Sequence, residues 1–157
     1  IGFDDAFKNT EDVLVQKSPD IFIRTASVEG LVLLKLFSWN DRAVELRSKD
    51  AKDLYLIITT YLYAGNDERL YEHQDIVDMA VDYELSGAIL LGKDIANTVS
   101  EKVHVALLRV LSDEKVQLLA YDMSKYENLH RDSDDEKVEW CIQILNALKW
   151  GLVSRVS

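Results

Sequence analysis

Lys35 interrupts the most apolar stretch of an otherwise ordinary amphipathic segment, LVLLKLFSWNDR, residues 31–42. A lysine among such neighbours costs several kcal/mol unless it snorkels to water, pairs with an acid or faces a wet cavity, so something must meet its charge. Arg42 follows seven positions later. At about 100° per residue on a helix, the two side chains fall within roughly 20° of each other. Ser38 lies between them, and Lys49, fourteen positions after Lys35, would join the same line if the helix ran on unbroken. Two or three cations in register can cradle a polyanion such as a nucleoside triphosphate, arginine offering a planar fork and lysine a point charge. The same spacing also describes the solvated side of a helix, with Asp41, Glu45 and Asp50 as counter-charges. Spacing alone leaves both readings open.

Just downstream, KDAKD sets Asp50 and Asp53 three residues apart, on one helical face. Such a pair can help to hold a divalent cation, but on an exposed helix it is more commonly surface charge. Its better use here is to hold Lys35 or Arg42 in position.

The elements that must carry these residues are mostly helical. Val13-Leu14-Val15 and Ile21-Phe22-Ile23, split by Lys17-Ser18-Pro19-Asp20, predict two short strands joined by a turn. From Ser27 onward almost every segment has a helical period and a start signal. Ser27 caps a long helix with Glu29 in its first turn. Ser48 with Asp50 predicts a fresh start or a sharp bend before AKDLYLIITTYLYAG, which Gly65-Asn66 ends. ERLYEH, QDIVDMAVDYEL and SGAILLGKDIANTV each predict a short bundle helix, the second with Ile76, Met79, Ala80 and Tyr83 on one face. Ser100 and Ser112 open two more helices. Ser133 with Glu136 has the capping-box spacing ahead of a last helix, whose apolar stripe is Val138, Cys141, Ile142, Leu145 and Leu148. The expected fold is mainly α, a helical bundle with a small two-strand β remnant near the N-terminus: residues 1–26 as the remnant of a sheet region and 27–157 as the helical domain. The opening IGFDDAF, with Asp4 or Asp5 capping a short turn through Phe7, reads as the middle of a larger protein.

Composition narrows the function. The 157 residues carry 18 basic and 28 acidic side chains, a net charge of -10, which opposes non-specific binding to nucleic acid or to an anionic membrane. No apolar run approaches the roughly 20 residues that cross a bilayer. A lone cysteine, Cys141, on the apolar stripe of the last helix forms no internal disulfide and fits a reducing cytoplasm as core filler. His73, His104 and His130 share no metal-ligand spacing, and Trp39, Trp140 and Trp150 are core or interface aromatics before they are stacking platforms. No phosphate-binding glycine loop or nucleophile elbow occurs.

RTASVEGLVLLKLFSWNDR followed by KDAKDLYLIITTYL resembles the helical segment after the catalytic sheet in predicted nucleotidyltransferases of the AbiEii/AbiGii toxin type, within the DNA polymerase beta-like superfamily. The shared features are a lysine in an apolar helix (Lys35), an arginine seven residues on (Arg42) and a KDxxDL element (Lys49 to Leu54). The resemblance covers residues 24–63 strongly and extends loosely to IGFDDAF and SGAILLGKDIA. It implies transfer of a nucleotidyl group from a nucleoside triphosphate to an acceptor, with Lys35, Arg42 and Lys49 contacting phosphates and Asp50 and Asp53 supporting them by electrostatic clamping. The family's magnesium would be held by acidic residues on a sheet, after a glycine-serine turn. That turn and the paired aspartates are missing here, so the expectation assigns no catalytic residue and no metal ligand to this chain, and no activity to it alone. A toxin role would further imply an RNA acceptor and an antitoxin partner. The competing expectation is a non-catalytic helical module for protein interaction or homo-oligomerisation.

Overall fold

The computed structural model describes residues 10–79 and 81–154, and the expected short helix over IGFDDAF lies outside them. The chain is mainly α, with a two-stranded antiparallel sheet leading into seven α-helices among the described residues. Strands β1 (Thr10–Gln16) and β2 (Ile21–Ala26) pair with Val13 opposite Ile23 and Leu14 opposite Phe22, the register slipping between Leu14 and Gln16. Because side chains alternate across a strand, Val13 and Ile23 share one face and Leu14 and Phe22 the other. Both faces are therefore apolar and both are exposed.

Helix α1 (Val28–Asp41) starts where Ser27 Oγ accepts the Gly30 amide at 3.1 Å, a cap that satisfies one of the helix's orphan donors. It stops at Asp41, and Arg42 is already extended. After the 42–47 turn, α2 (Ser48–Thr60) runs into a 3₁₀ turn at Leu62–Ala64, closed by Gly65 in the left-handed region at φ 91°. Gly65 has no atom crowding its missing Cβ, so its backbone conformation is what favours glycine there.

The expected helix over ERLYEH is a 3₁₀ segment, Glu68–Glu72, and QDIVDMAVDYEL gives only the five-residue α3 (Gln74–Asp78). Of its expected apolar face only Ile76 is buried; Met79 and Tyr83 are exposed, and Ala80 lies outside the described residues. The next helix claims the end of that segment: α4 (Tyr83–Thr98) begins three residues before the expected Ser86 start, and its unbroken run from Ser86 to Lys93 is buried all round. A run so largely apolar is driven to the centre, where its one charge, Lys93, is met by Asp75 from α3. Helices α5 (Glu101–Val110) and α6 (Asp113–Met123) follow the expected starts.

The last helix, α7 (Asp134–Val153), is capped by Ser133 Oγ on the Glu136 amide at 3.2 Å, while Glu136 Oε2 accepts the Asp132 amide at 3.2 Å. Of the expected stripe, Cys141, Leu145 and Leu148 are buried and Val138 and Ile142 pack half-buried against the core, and the buried face widens to take in Trp140, Ile144, Gly151 and Leu152. Glycines set how closely that face packs. A Cβ on Gly151 would stand 2.1 Å from Ile89 O, and one on Gly92 would stand 2.3 Å from Leu148 O, so α4 and α7 cross backbone to backbone. Theirs is the most extensive helix contact in the fold. Buried His104 on α5 ties in the end of α7, its Nε2 2.9 Å from Leu152 O; since a carbonyl only accepts, that nitrogen carries the proton.

Candidate functional site

Lys35 comes from the half-buried flank of α1, and the first turns of α2 supply its partners. Its Nζ donates to Asp50 Oδ1 at 3.0 Å and to Asp53 Oδ2 at 2.5 Å. Ser38, one turn along α1, donates its hydroxyl to the other Asp50 oxygen at 3.0 Å, and Arg42 Nη1 reaches that same oxygen at 2.7 Å. Asp50 is buried at 2% exposure, so one carboxylate in the core receives a lysine, a serine and an arginine. Its place in the first turn of α2 adds the favourable end of the helix dipole to that set. Burial alone would push the Lys35 ammonium down, but its hydrogen bonds to Asp53 and Asp50 outweigh this and hold it above its usual 10.5.

The 42–47 turn breaks the line of cations. Lys35, Ser38 and Arg42 converge on Asp50, whereas Lys49 sits beyond the turn on α2, exposed and without an ion pair to any described residue. Lys35, Arg42, Asp50 and Asp53 cancel in charge. Within this group Lys35 is 22% exposed in its side chain and Arg42 47%, so the arginine is the member with reach into solvent. Asp50 has both oxygens occupied and Asp53 meets Lys35, so the pair does not fit a magnesium ion, and no group of three or more His, Cys, Asp or Glu among the described residues is arranged for a metal.

A second buried carboxylate stands at the other end of the turn. Asp122 of α6, 3% exposed, accepts from Trp39 Nε1 at 3.0 Å and from Arg47 Nε at 2.5 Å, with Lys125 Nζ at 3.4 Å. The Arg47 guanidinium also lies 5.0 Å from the centre of the Trp39 ring. The sequence carries a signal for this node: Asp122 interrupts the buried face of α6 between Leu119 and Met123, as Lys35 interrupts that of α1, and the two interruptions mark buried polar contacts. Trp39 is buried with its indole satisfied and Trp140 is buried, whereas Trp150 is exposed at 38%.

A third polar node gathers around buried Tyr61. Its hydroxyl lies 2.6 Å from Asp94 Oδ2 and 3.1 Å from Glu29 Oε1, and Arg69 bridges it to Asp94 through Nη2 at 2.7 Å. Burial, then the Asp94 hydrogen bond, push the phenol well above its ordinary range. Arg69, Glu29 and Asp94 face a cavity of about 360 Å³ beside the base of β1. Cys141 is buried, and burial pushes its thiol up to about 12, which makes it inert filler rather than a nucleophile.

No helix among the described residues is long and apolar enough to cross a membrane. Comparison with models of known protein families gives no match, and no curated protein or solved structure is significantly similar to the chain.

Proposed function

We propose that this chain is the helical C-terminal part of a nucleotidyltransferase-like protein and that its contribution is to grip the phosphates of a nucleoside triphosphate. The observation that carries the reading is Arg42: an exposed guanidinium held through Nη1 by a buried carboxylate that also holds Lys35. A cation oriented in advance by a buried acid needs little reorganisation to meet developing negative charge. Lys35 keeps one ammonium proton beyond those given to Asp50 and Asp53, and Lys49, in the first turn of α2, makes no ion pair with any described residue. Magnesium belongs to this reading only with carboxylates outside the chain, and an RNA acceptor and an antitoxin only through the resemblance. A cytoplasmic location fits the single buried thiol.

The test is calorimetric titration of nucleoside triphosphate into the product of the complete gene. Arg42→Ala removes a charge-assisted contact and lowers affinity about tenfold or more; Lys35→Ala lowers it as well, with melting measured in parallel because Asp50 and Asp53 lose the lysine they share. Unchanged affinity and turnover in both variants would sink the assignment.

The hairpin favours a second reading, that of a protein-interaction or oligomerisation module. Two strands do not make a stable sheet, and Val13, Leu14, Val15, Ile21, Phe22 and Ile23 are each 36% to 58% exposed across both faces. Sedimentation over a hundredfold range of concentration bears on the choice: a strictly monomeric protein that binds triphosphate counts against the module.

A further inference from the structure

The 42–47 turn is fixed at both ends by buried acids, Arg42 by Asp50 and Arg47 by Asp122, and closes on itself through the Leu46 amide to Ala43 O at 2.9 Å. Connecting turns rarely engage two desolvated carboxylates, because each buried charge must be compensated by close pairing. Between its two arginines this firm turn displays aliphatic side chains on either side of Glu45. Val44 and Leu46, at 64% and 66%, are the most exposed large aliphatic side chains among the described residues. Apolar groups held out on a rigid support form a preorganised contact surface, since little freedom is left to lose on binding.

Resting on the phosphate reading above, we infer that this turn is the ligand-selecting edge of the site: Arg42 meets the polyphosphate, Val44 and Leu46 meet the uncharged nucleoside, and Asp122 is the positioning residue that holds the turn through Arg47. Charge sets the ligand's direction. Glu45 is exposed between the two aliphatic residues and repels phosphate, so the anionic tail belongs at the Arg42 end and the neutral end of the ligand beside Val44 and Leu46. Trp39 completes the support, its ring under Arg47 and its indole on the same Asp122 oxygen.

Two probes separate the parts of this inference: the four ribonucleoside triphosphates and inorganic tripolyphosphate, each titrated into the complete gene product. Val44→Ser and Leu46→Ser change exposed side chains and leave the fold intact. Leu46→Ser is expected to weaken the best-bound nucleotide about tenfold while leaving tripolyphosphate unchanged. Asp122→Asn keeps an acceptor for Trp39 but loses the charge that holds Arg47, so it weakens both probes and speeds amide exchange across residues 43–46. If Arg42→Ala weakens both probes but neither serine variant separates them, the turn is not the selecting edge and the phosphate reading stands alone. If both probes bind independently of Arg42, or neither binds, both conclusions fall. A loss of self-association in Leu46→Ser without any change in nucleotide affinity overturns the inference in favour of a protein contact.

Discussion

The α4–α7 and α1–α2 contacts hold the same bundle by opposite means. Where α4 crosses α7, glycines bring backbone against backbone among mostly aliphatic side chains, with buried Lys93 beside Gly92 reaching out to Asp75 and over the Trp150 ring. Where α1 meets α2, Lys35, Ser38 and Arg42 close on a buried aspartate. Close apolar packing adds stability directly, whereas a buried ion pair recovers little beyond its own desolvation and mainly fixes geometry. The difference teaches where to look for function: the dry crossing explains why the chain folds, and the ionic contact orients a charge at the surface.

Breaking the dry crossing has the largest expected effect. In Gly151→Ala the new methyl group meets a main-chain carbonyl at 2.1 Å, and neither helix can yield without disturbing the central contact. A loss of about 3 kcal/mol or more, roughly 10 °C in melting temperature, is expected, even though alanine favours helix elsewhere. Thermal unfolding followed by circular dichroism measures it, and the loss should not depend on pH.

Breaking the ionic contact sharpens the comparison. Asp50→Ala leaves Lys35 with Asp53 alone and takes the shared acceptor from Ser38 and Arg42, at a cost of about 2 kcal/mol. That cost does depend on pH. The folded-state pKa of Lys35 is raised, so its contribution is complete below 10.5 and is lost as pH climbs through the higher folded value. Denaturant titrations carried from pH 7 to well past 10.5 should therefore show the gap between wild type and Asp50→Ala narrowing by the Asp50 share of that shift, Asp53 keeping its own, while the gap for Gly151→Ala stays constant.

The smallest effect belongs to the hairpin. Phe22→Ser changes a side chain 58% exposed that packs against nothing central, and chemical denaturation should show a shift within about 0.5 kcal/mol. A larger loss would mean that the hairpin is integral to the body of the fold.

Legibility in the sequence followed the range of the interaction. The strands, the Ser27 and Ser133 caps and the break before Ser48 were readable because turn residues, capping serines and alternation act within a few positions. QDIVDMAVDYEL misled because its helical period was real but short, and tertiary competition from the largely apolar α4 decided its length. The apolar stripe of α7 was legible as well, but its close crossing with α4 was not, because that depends on Gly151 against Gly92, residues far apart in the chain.

The site divides in the same way. Sequence by itself determined that Lys35 needs an anionic or acidic neighbour, that Asp50 and Asp53 share a helical face, and that Arg42 lies close enough to join them, because charge, desolvation and helical period are local properties. Only the tertiary structure decided that the helix breaks at Arg42, that Lys49 leaves the line, that Asp50 rather than solvent receives the cations, and that Asp122, from a helix 75 residues beyond Arg47, clamps the far end of the turn. Those outcomes depend on which distant surfaces pack together, and that is fixed by the shape of the whole core.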